Sequence, residues 1–125
     1  MSSSVRVLLV EDNEVYRSSL ELLLALQPGL EVVGSAATAA EALALTTTLS
    51  PEVVLLDFRL PDQDGAEAAA EFRRRHPEVK VVCLTAEASP AERDAVLDGG
   101  AVAVIEKGAP VDEVARIVVL AAGSG

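Results

Sequence analysis

Aromatic residues are nearly absent from this chain: Tyr16, Phe58 and Phe72 are the only three in 125 residues, and there is no tryptophan. Its core must therefore be built from Ala, Val and Leu, a filling that suits helices packed on a parallel sheet. Basic residues are scarce too, ten against twenty acids, for a formal charge of -10. Such a surface repels a polyphosphate backbone and offers no aromatic platform for bases, which argues against direct nucleic-acid binding by this chain. The single cysteine, Cys83, can form no internal disulfide and lies inside the apolar run 79–84, so a buried, inert thiol in a reducing cytoplasm is expected. His76 has no second histidine with which to share a metal and reads as a surface residue. No apolar run approaches the roughly 18 residues of a membrane span, and residues 1–4 lack the pattern of a signal peptide. The expectation is one soluble domain over 1–125, with 1–4 and 123–125 as flexible ends.

What is present is an alternation of two periods. Five short runs, Val5–Val10, Glu31–Ala36, Val53–Asp57, Val79–Leu84 and Val102–Ile105, are apolar at most positions, the pattern of parallel strands covered on both faces. Helical patterns separate them. From Glu14, Val15, Leu22, Leu23 and Leu26 are predicted to form one apolar face, ended by Gln27-Pro28-Gly29. Thr38 and Glu41 have capping-box spacing and open a helix to about Leu49, before Ser50-Pro51 breaks the chain. Ala66 to Arg75 is an alanine-rich helix with Phe72 inward, and its Arg73-Arg74-Arg75 end reads as solvated cations complementing the helix dipole. Ser89 and Glu92 form a second capping box with Pro90 at the first helical position, and Gly99-Gly100 ends that helix. Val111, Val114, Ala115, Val118 and Val119 mark the inner face of the last helix. These alternations predict an α/β fold, a three-layer flavodoxin-like (βα)5 sandwich with a parallel five-stranded sheet in the order 2-1-3-4-5.

Chemistry falls at the strand ends. Glu11 and Asp12 follow the first strand, Asp57 closes the third, Thr85 follows the fourth and Lys107 the fifth. In the predicted order the first and third strands are neighbours, so Glu11, Asp12 and Asp57 converge in the crevice at the switch point. Three carboxylates repel one another unless a cation sits among them, and hard oxygen ligands suit Mg²⁺, which completes its shell with water and substrate phosphate. A phosphoryl substrate is therefore expected, with Lys107 as a point charge on its oxygens, Thr85 as a hydrogen-bond donor and Asp57 as the nucleophile that becomes an aspartyl phosphate. Taken singly, each residue has a bland reading: Asp57 as a turn aspartate, Glu11 and Asp12 as helix caps, Thr85 as a strand-end hydroxyl, Lys107 as a surface lysine. The set in register is what favours chemistry.

Glu11-Asp12, the segment Asp57-Phe58-Arg59-Leu60-Pro61-Asp62-Gln63-Asp64-Gly65, Thr85-Ala86 and Lys107 together resemble the receiver domain of a two-component response regulator, over essentially the whole chain. The resemblance implies that Asp57 is the phosphoacceptor for a sensor histidine kinase. It implies that Asp12 binds Mg²⁺ directly, that Glu11 acts partly through water and that the Arg59 carbonyl is a further ligand. Arg59-Leu60-Pro61-Asp62 and Glu31-Val32-Val33-Gly34 are most similar to receivers that precede a helix-turn-helix DNA-binding domain, and a homodimer on phosphorylation would follow. Two positions depart from the family pattern. Val104 stands where an aromatic relay residue is usual, and Gly108 follows Lys107 where proline is common. The alternatives are a degenerate receiver acting as a phosphorylation-independent interaction module, which the missing aromatic supports, and a phosphatase of the haloacid dehalogenase type. The latter needs a second aspartate two residues after the nucleophile, where Arg59 stands.

Overall fold

The computed structural model describes residues 4–87 and 89–123, so of the ends expected to be flexible, 1–4 and 123–125, residues 1–3 and 124–125 lie outside the described residues. In chain order the elements are β1 (Val5–Val10), α1 (Glu14–Ala25), β2 (Leu30–Ala36), α2 (Ala39–Leu49), β3 (Val53–Asp57), α3 (Gly65–Arg75), β4 (Lys80–Thr85), α4 (Pro90–Gly99), β5 (Ala103–Glu106) and α5 (Val111–Ala122). The strands form one parallel sheet in the predicted order, β2-β1-β3-β4-β5. β4 and β5 each begin and end one residue later than expected, leaving Val102 outside the sheet and 42% exposed.

Because side chains alternate along a strand, each strand feeds two cores. Val7, Leu9, Val53, Leu55, Val82, Leu84 and Ile105 pack beneath α1 and α5, while Leu8, Val10, Val54, Leu56, Val81 and Cys83 pack beneath α2, α3 and α4. The second core holds Phe72, which is fully buried among alanines of α3 whose small side chains let that helix lie close to the sheet. Burial pushes the Cys83 thiol up to about 12, with the Asp57 charge adding to the effect, so the thiol is inert as expected.

α1 corrects the sequence reading. Val15, Leu22 and Leu26 are 77%, 71% and 80% exposed and Leu23 is also exposed, whereas Leu20 and Leu24 are buried. Leu20 and Leu24, one turn apart with Tyr16 one turn before them, form the stripe that meets the sheet. Apolar residues occur all around this helix, so periodicity alone selected the wrong side. His76 is the other correction: it caps the C-terminus of α3 with its ring near Phe72, and its side chain is only 16% exposed.

The helix starts are chemically determined. Ser89 and Glu92 form the expected reciprocal capping box, and Asp64 and Glu67 form another that was not anticipated. At α2, Thr38 accepts from the Glu41 amide, but the Glu41 carboxylate reaches back to the Ala37 amide rather than to Thr38. α2 ends on Ser50 in the left-handed region, φ 49°, where its amide donates to the Thr46 carbonyl. A residue with a Cβ is strained there and glycine is not. Ser50→Gly should therefore stabilise the fold by about 0.5–1 kcal/mol, read as a higher urea midpoint at unchanged slope; a lower midpoint would show that this cap is not strained.

Candidate functional site

Strand register builds the site. Val10 pairs with Leu56 across β1 and β3, so the next residues, Glu11 and Asp57, leave the sheet side by side. Backbone bonds fix both departures: the Glu11 amide donates to the Ala36 carbonyl at 2.9 Å and the Phe58 amide to the Leu84 carbonyl at 2.7 Å. Glu11 follows Val7 and Leu9 in parity, and Asp57 follows Val53 and Leu55, so both belong to the face carrying α1 and α5. Lys107 lies two residues beyond Ile105 on the same face, its amide tied to the Thr85 carbonyl at 2.8 Å.

The three side chains meet. The Lys107 Nζ lies 2.7 Å from Glu11 Oε1 and 3.3 Å from Asp57 Oδ2. Glu11 Oε2 accepts from the Asn13 amide at 2.9 Å, and Asp57 Oδ1 accepts from the Arg59 amide at 3.3 Å. Glu11 is 1% exposed and Asp57 4%, so these are carboxylates removed from water with one ammonium between them. Burial alone would lower the Lys107 pKa, but the hydrogen bond to Glu11 and the charge of Asp57 outweigh it and hold the lysine above its ordinary value. The lysine is charged at neutral pH.

Asp12 is exposed at the rim, and one carboxylate oxygen from each of Glu11, Asp12 and Asp57 lies within 4.8 Å of the others. An all-oxygen group open to solvent on one side fits a small hard cation that keeps several waters. Thr85 is placed differently. It shares the parity of Val81 and Cys83, the face of α3 and α4, and its hydroxyl donates to the Glu87 carbonyl at 3.3 Å. The strand end brings it to the same edge while its hydroxyl is engaged elsewhere. Gly65, closing the loop after Asp57, permits a close approach: a Cβ there would lie 2.7 Å from Phe58 Cδ1 and 3.0 Å from its Cα.

Two further residues join the site without having been anticipated. The Tyr16 ring centroid lies 4.7 Å from Lys107 Nζ, and Arg17 Nη1 donates to the Glu11 carbonyl at 2.7 Å. Both sit in the first turn of α1, only four and five residues after Asp12, and that proximity to the sheet edge was a signal available in the sequence.

The sheet order and this edge define a signalling receiver. Residues 7–119 match the family model of the response regulator receiver domain, and the chain belongs to that family. Among curated proteins it is 35% identical to response regulator GacA of Pseudomonas protegens over 114 residues, covering 91% of this chain and 54% of that protein. It is 41% identical over 103 residues to the DNA-binding transcriptional activator DevR/DosR of Mycobacterium tuberculosis, covering 82% of this chain and 48% of that one. The chain thus spans about half the length of the curated relatives it matches. Among solved structures, the signal receiver domain of a response regulator named NarL from Mycobacterium tuberculosis superposes with a TM-score of 0.92 at 32% identity, covering 98% of this chain and 99% of that one. A LuxR-family two-component response regulator from Aurantimonas gives a TM-score of 0.89 at 29% identity, covering 97% and 87%. The reading as a degenerate interaction module finds no support in these comparisons. No helix among the described residues is long and apolar enough to cross a membrane.

The loop after Asp57 is tied to α2 by Asp62, whose two carboxylate oxygens accept from the Ala39 and Ala40 amides, each at 3.0 Å. Partial burial would raise the Asp62 pKa, but those bonds, with the amides of Asp62 itself and Gln63, hold it below its ordinary value. A depressed carboxyl contributes stability above its unfolded value, and the contribution is lost as pH falls through the folded one. Asp62→Ala should cost about 1 kcal/mol at neutral pH, in the lower half of the N-cap range because the residue is exposed. The gap from wild type should close as pH falls below the ordinary carboxylate range of about 4. Urea titrations at both pH values check this, and a gap independent of pH would sink it.

Proposed function

We propose that this chain accepts a phosphoryl group on Asp57 from the phosphohistidine of a sensor histidine kinase and passes the signal on through a change in its own conformation. The observation that carries the reading is the Lys107 ammonium held against Glu11 and Asp57 at the C-terminal edge of the sheet. An Asp57 oxygen forms the new O–P bond while the donor's P–N bond breaks, its electron pair remaining on the imidazole nitrogen. Glu11, Asp12, Asp57 and the Arg59 carbonyl would hold Mg²⁺, which when bound neutralises charge on the transferring oxygens. Lys107 offers a second positive charge to those oxygens, and desolvation strengthens it. The Thr85 hydroxyl can reach the new phosphate only by releasing the Glu87 carbonyl, so phosphorylation is coupled to the loop before α4. On this reading the chain is a signalling phosphoacceptor that assists its own phosphorylation and dephosphorylation. It is one cytoplasmic domain over 1–125, able to pair with a second copy when phosphorylated. The relatives' names favour transcriptional control through a DNA-binding domain.

Incubation with Mg²⁺ and acetyl phosphate should add one phosphoryl group, seen by intact mass, and Asp57→Ala should abolish it. Losing a direct ligand should cost no less than the roughly tenfold typical of losing an outer-shell partner, so Asp12→Ala labelling at the wild-type rate would refute the metal assignment. Lys107 and Mg²⁺ neutralise the same carboxylates, so Lys107→Ala should lower the melting temperature in chelator. Saturating Mg²⁺ should then raise it by more than it raises wild type. An equal Mg²⁺ increment in both proteins would separate lysine from metal site.

A further inference from the structure

We propose that Tyr16 is a positioning residue for Lys107, holding the ammonium over the site when the cation draws Glu11 and Asp57 away from it. The inference rests on the phosphoacceptor reading above. Among the described residues the Lys107 ammonium has three partners: Glu11 Oε1 at 2.7 Å, Asp57 Oδ2 at 3.3 Å and the Tyr16 ring, whose centroid is 4.7 Å from Nζ. The first two belong to the acidic cluster that fits a hard cation. A divalent cation there both competes for those oxygens and repels the ammonium. A lysine with only carboxylate partners would be free to swing into solvent on its flexible four-carbon stem.

The aromatic partner is different in kind. Tyr16 attracts a cation through the quadrupole of its ring face and carries no charge for a metal to take over. Its own position is fixed independently of the site. Its amide donates to the Asn13 side chain at 2.9 Å, and its ring packs against the core beneath α1 and α5, one turn before Leu20. The ring is thus a wall anchored in the hydrophobic core and presented to the ammonium. In a chain with three aromatics, the only tyrosine stands at this contact.

Pure packing and positioning are separable. Tyr16→Leu keeps an apolar side chain on the core but removes the ring, and Tyr16→Phe keeps the ring. With acetyl phosphate and Mg²⁺, Tyr16→Leu should label Asp57 roughly three- to tenfold more slowly than wild type, and Tyr16→Phe should restore the rate to within about twofold. Equal rates in Tyr16→Leu and wild type, or an equal loss in both variants, would overturn the proposal. A second readout needs no phosphotransfer. The protein has one tyrosine and no tryptophan, so with excitation beyond the phenylalanine absorption its intrinsic fluorescence comes from Tyr16 alone. Lys107→Met should change that emission in chelator, since the ring loses its cation. In wild type, Mg²⁺ should not convert the spectrum into that of Lys107→Met, because the contact persists. If Mg²⁺ makes the two spectra coincide, the lysine leaves the ring and the idea is wrong. Absence of label in wild type, with the fluorescence behaving as expected, would reject the phosphoacceptor reading and leave the contact established.

Discussion

The ammonium of Lys107 between two buried carboxylates is the interaction on which this edge of the molecule depends. Glu11 is 1% exposed, and the cation that meets it there is Lys107, 96 residues away in sequence. Exposed ion pairs contribute little, but here desolvation makes loss of one partner far more costly than the pair is worth in water. The pair therefore joins the first strand to the last across β3, whose end carries Asp57. A second cation entering the cluster would contend with the first, so cation binding and lysine position are linked by charge.

Parity explains how so few residues accomplish this. In a sheet covered on both faces every strand serves two cores, and the residue just past each strand inherits one face or the other. Glu11, Asp57 and Lys107 inherit the α1 and α5 face, and Thr85 inherits the α3 and α4 face. Two acids and the lysine meet on one side, while the Thr85 hydroxyl lies on the other, bonded to the Glu87 carbonyl. Asp62 adds a separate tie by gripping the first amides of α2, so the loop leaving Asp57 is held from two directions.

Much of this was legible in the sequence because the decisive signals are local. Apolar runs that end on acids, proline and glycine stops and Ser89 with Glu92 set the elements, and five alternations leave few topologies. The order of the strands then predicts that Glu11 and Asp57 are neighbours. What was not legible depends on the third dimension. The outward stripe of α1, Val15, Leu22 and Leu26, is as apolar as the inward one, and only contact with the sheet shows that Leu20 and Leu24 are buried. Asp62 is one acid among several in its loop, and nothing in its spacing announces two bonds to a helix 22 and 23 residues earlier. Tyr16 stands close after Asp12 in sequence, but that its ring meets the Lys107 ammonium shows only in three dimensions.

Val104 bears on how the two faces communicate. It packs at the edge of the core beneath α2, α3 and α4, and beside it a hollow of about 490 Å³ opens between α4, β5 and α5, bordered by Arg93, Glu106, Glu113 and Ile117. A large ring at this position could swing between the hollow and solvent; valine, β-branched and stiff at its single side-chain torsion, has no such excursion. Position 104 holds no aromatic side chain that could rotate there. The Lys107 amide donates to the Thr85 carbonyl, and the Thr85 hydroxyl to the Glu87 carbonyl, near the capped start of α4 in sequence. Arg59, two residues after Asp57, also reaches Glu92 of that cap at 3.4 Å. Around Asp57, the contacts that lead toward the start of α4 are the Thr85 hydroxyl on the Glu87 carbonyl and the Arg59–Glu92 ion pair, and Val104 adds no ring to them.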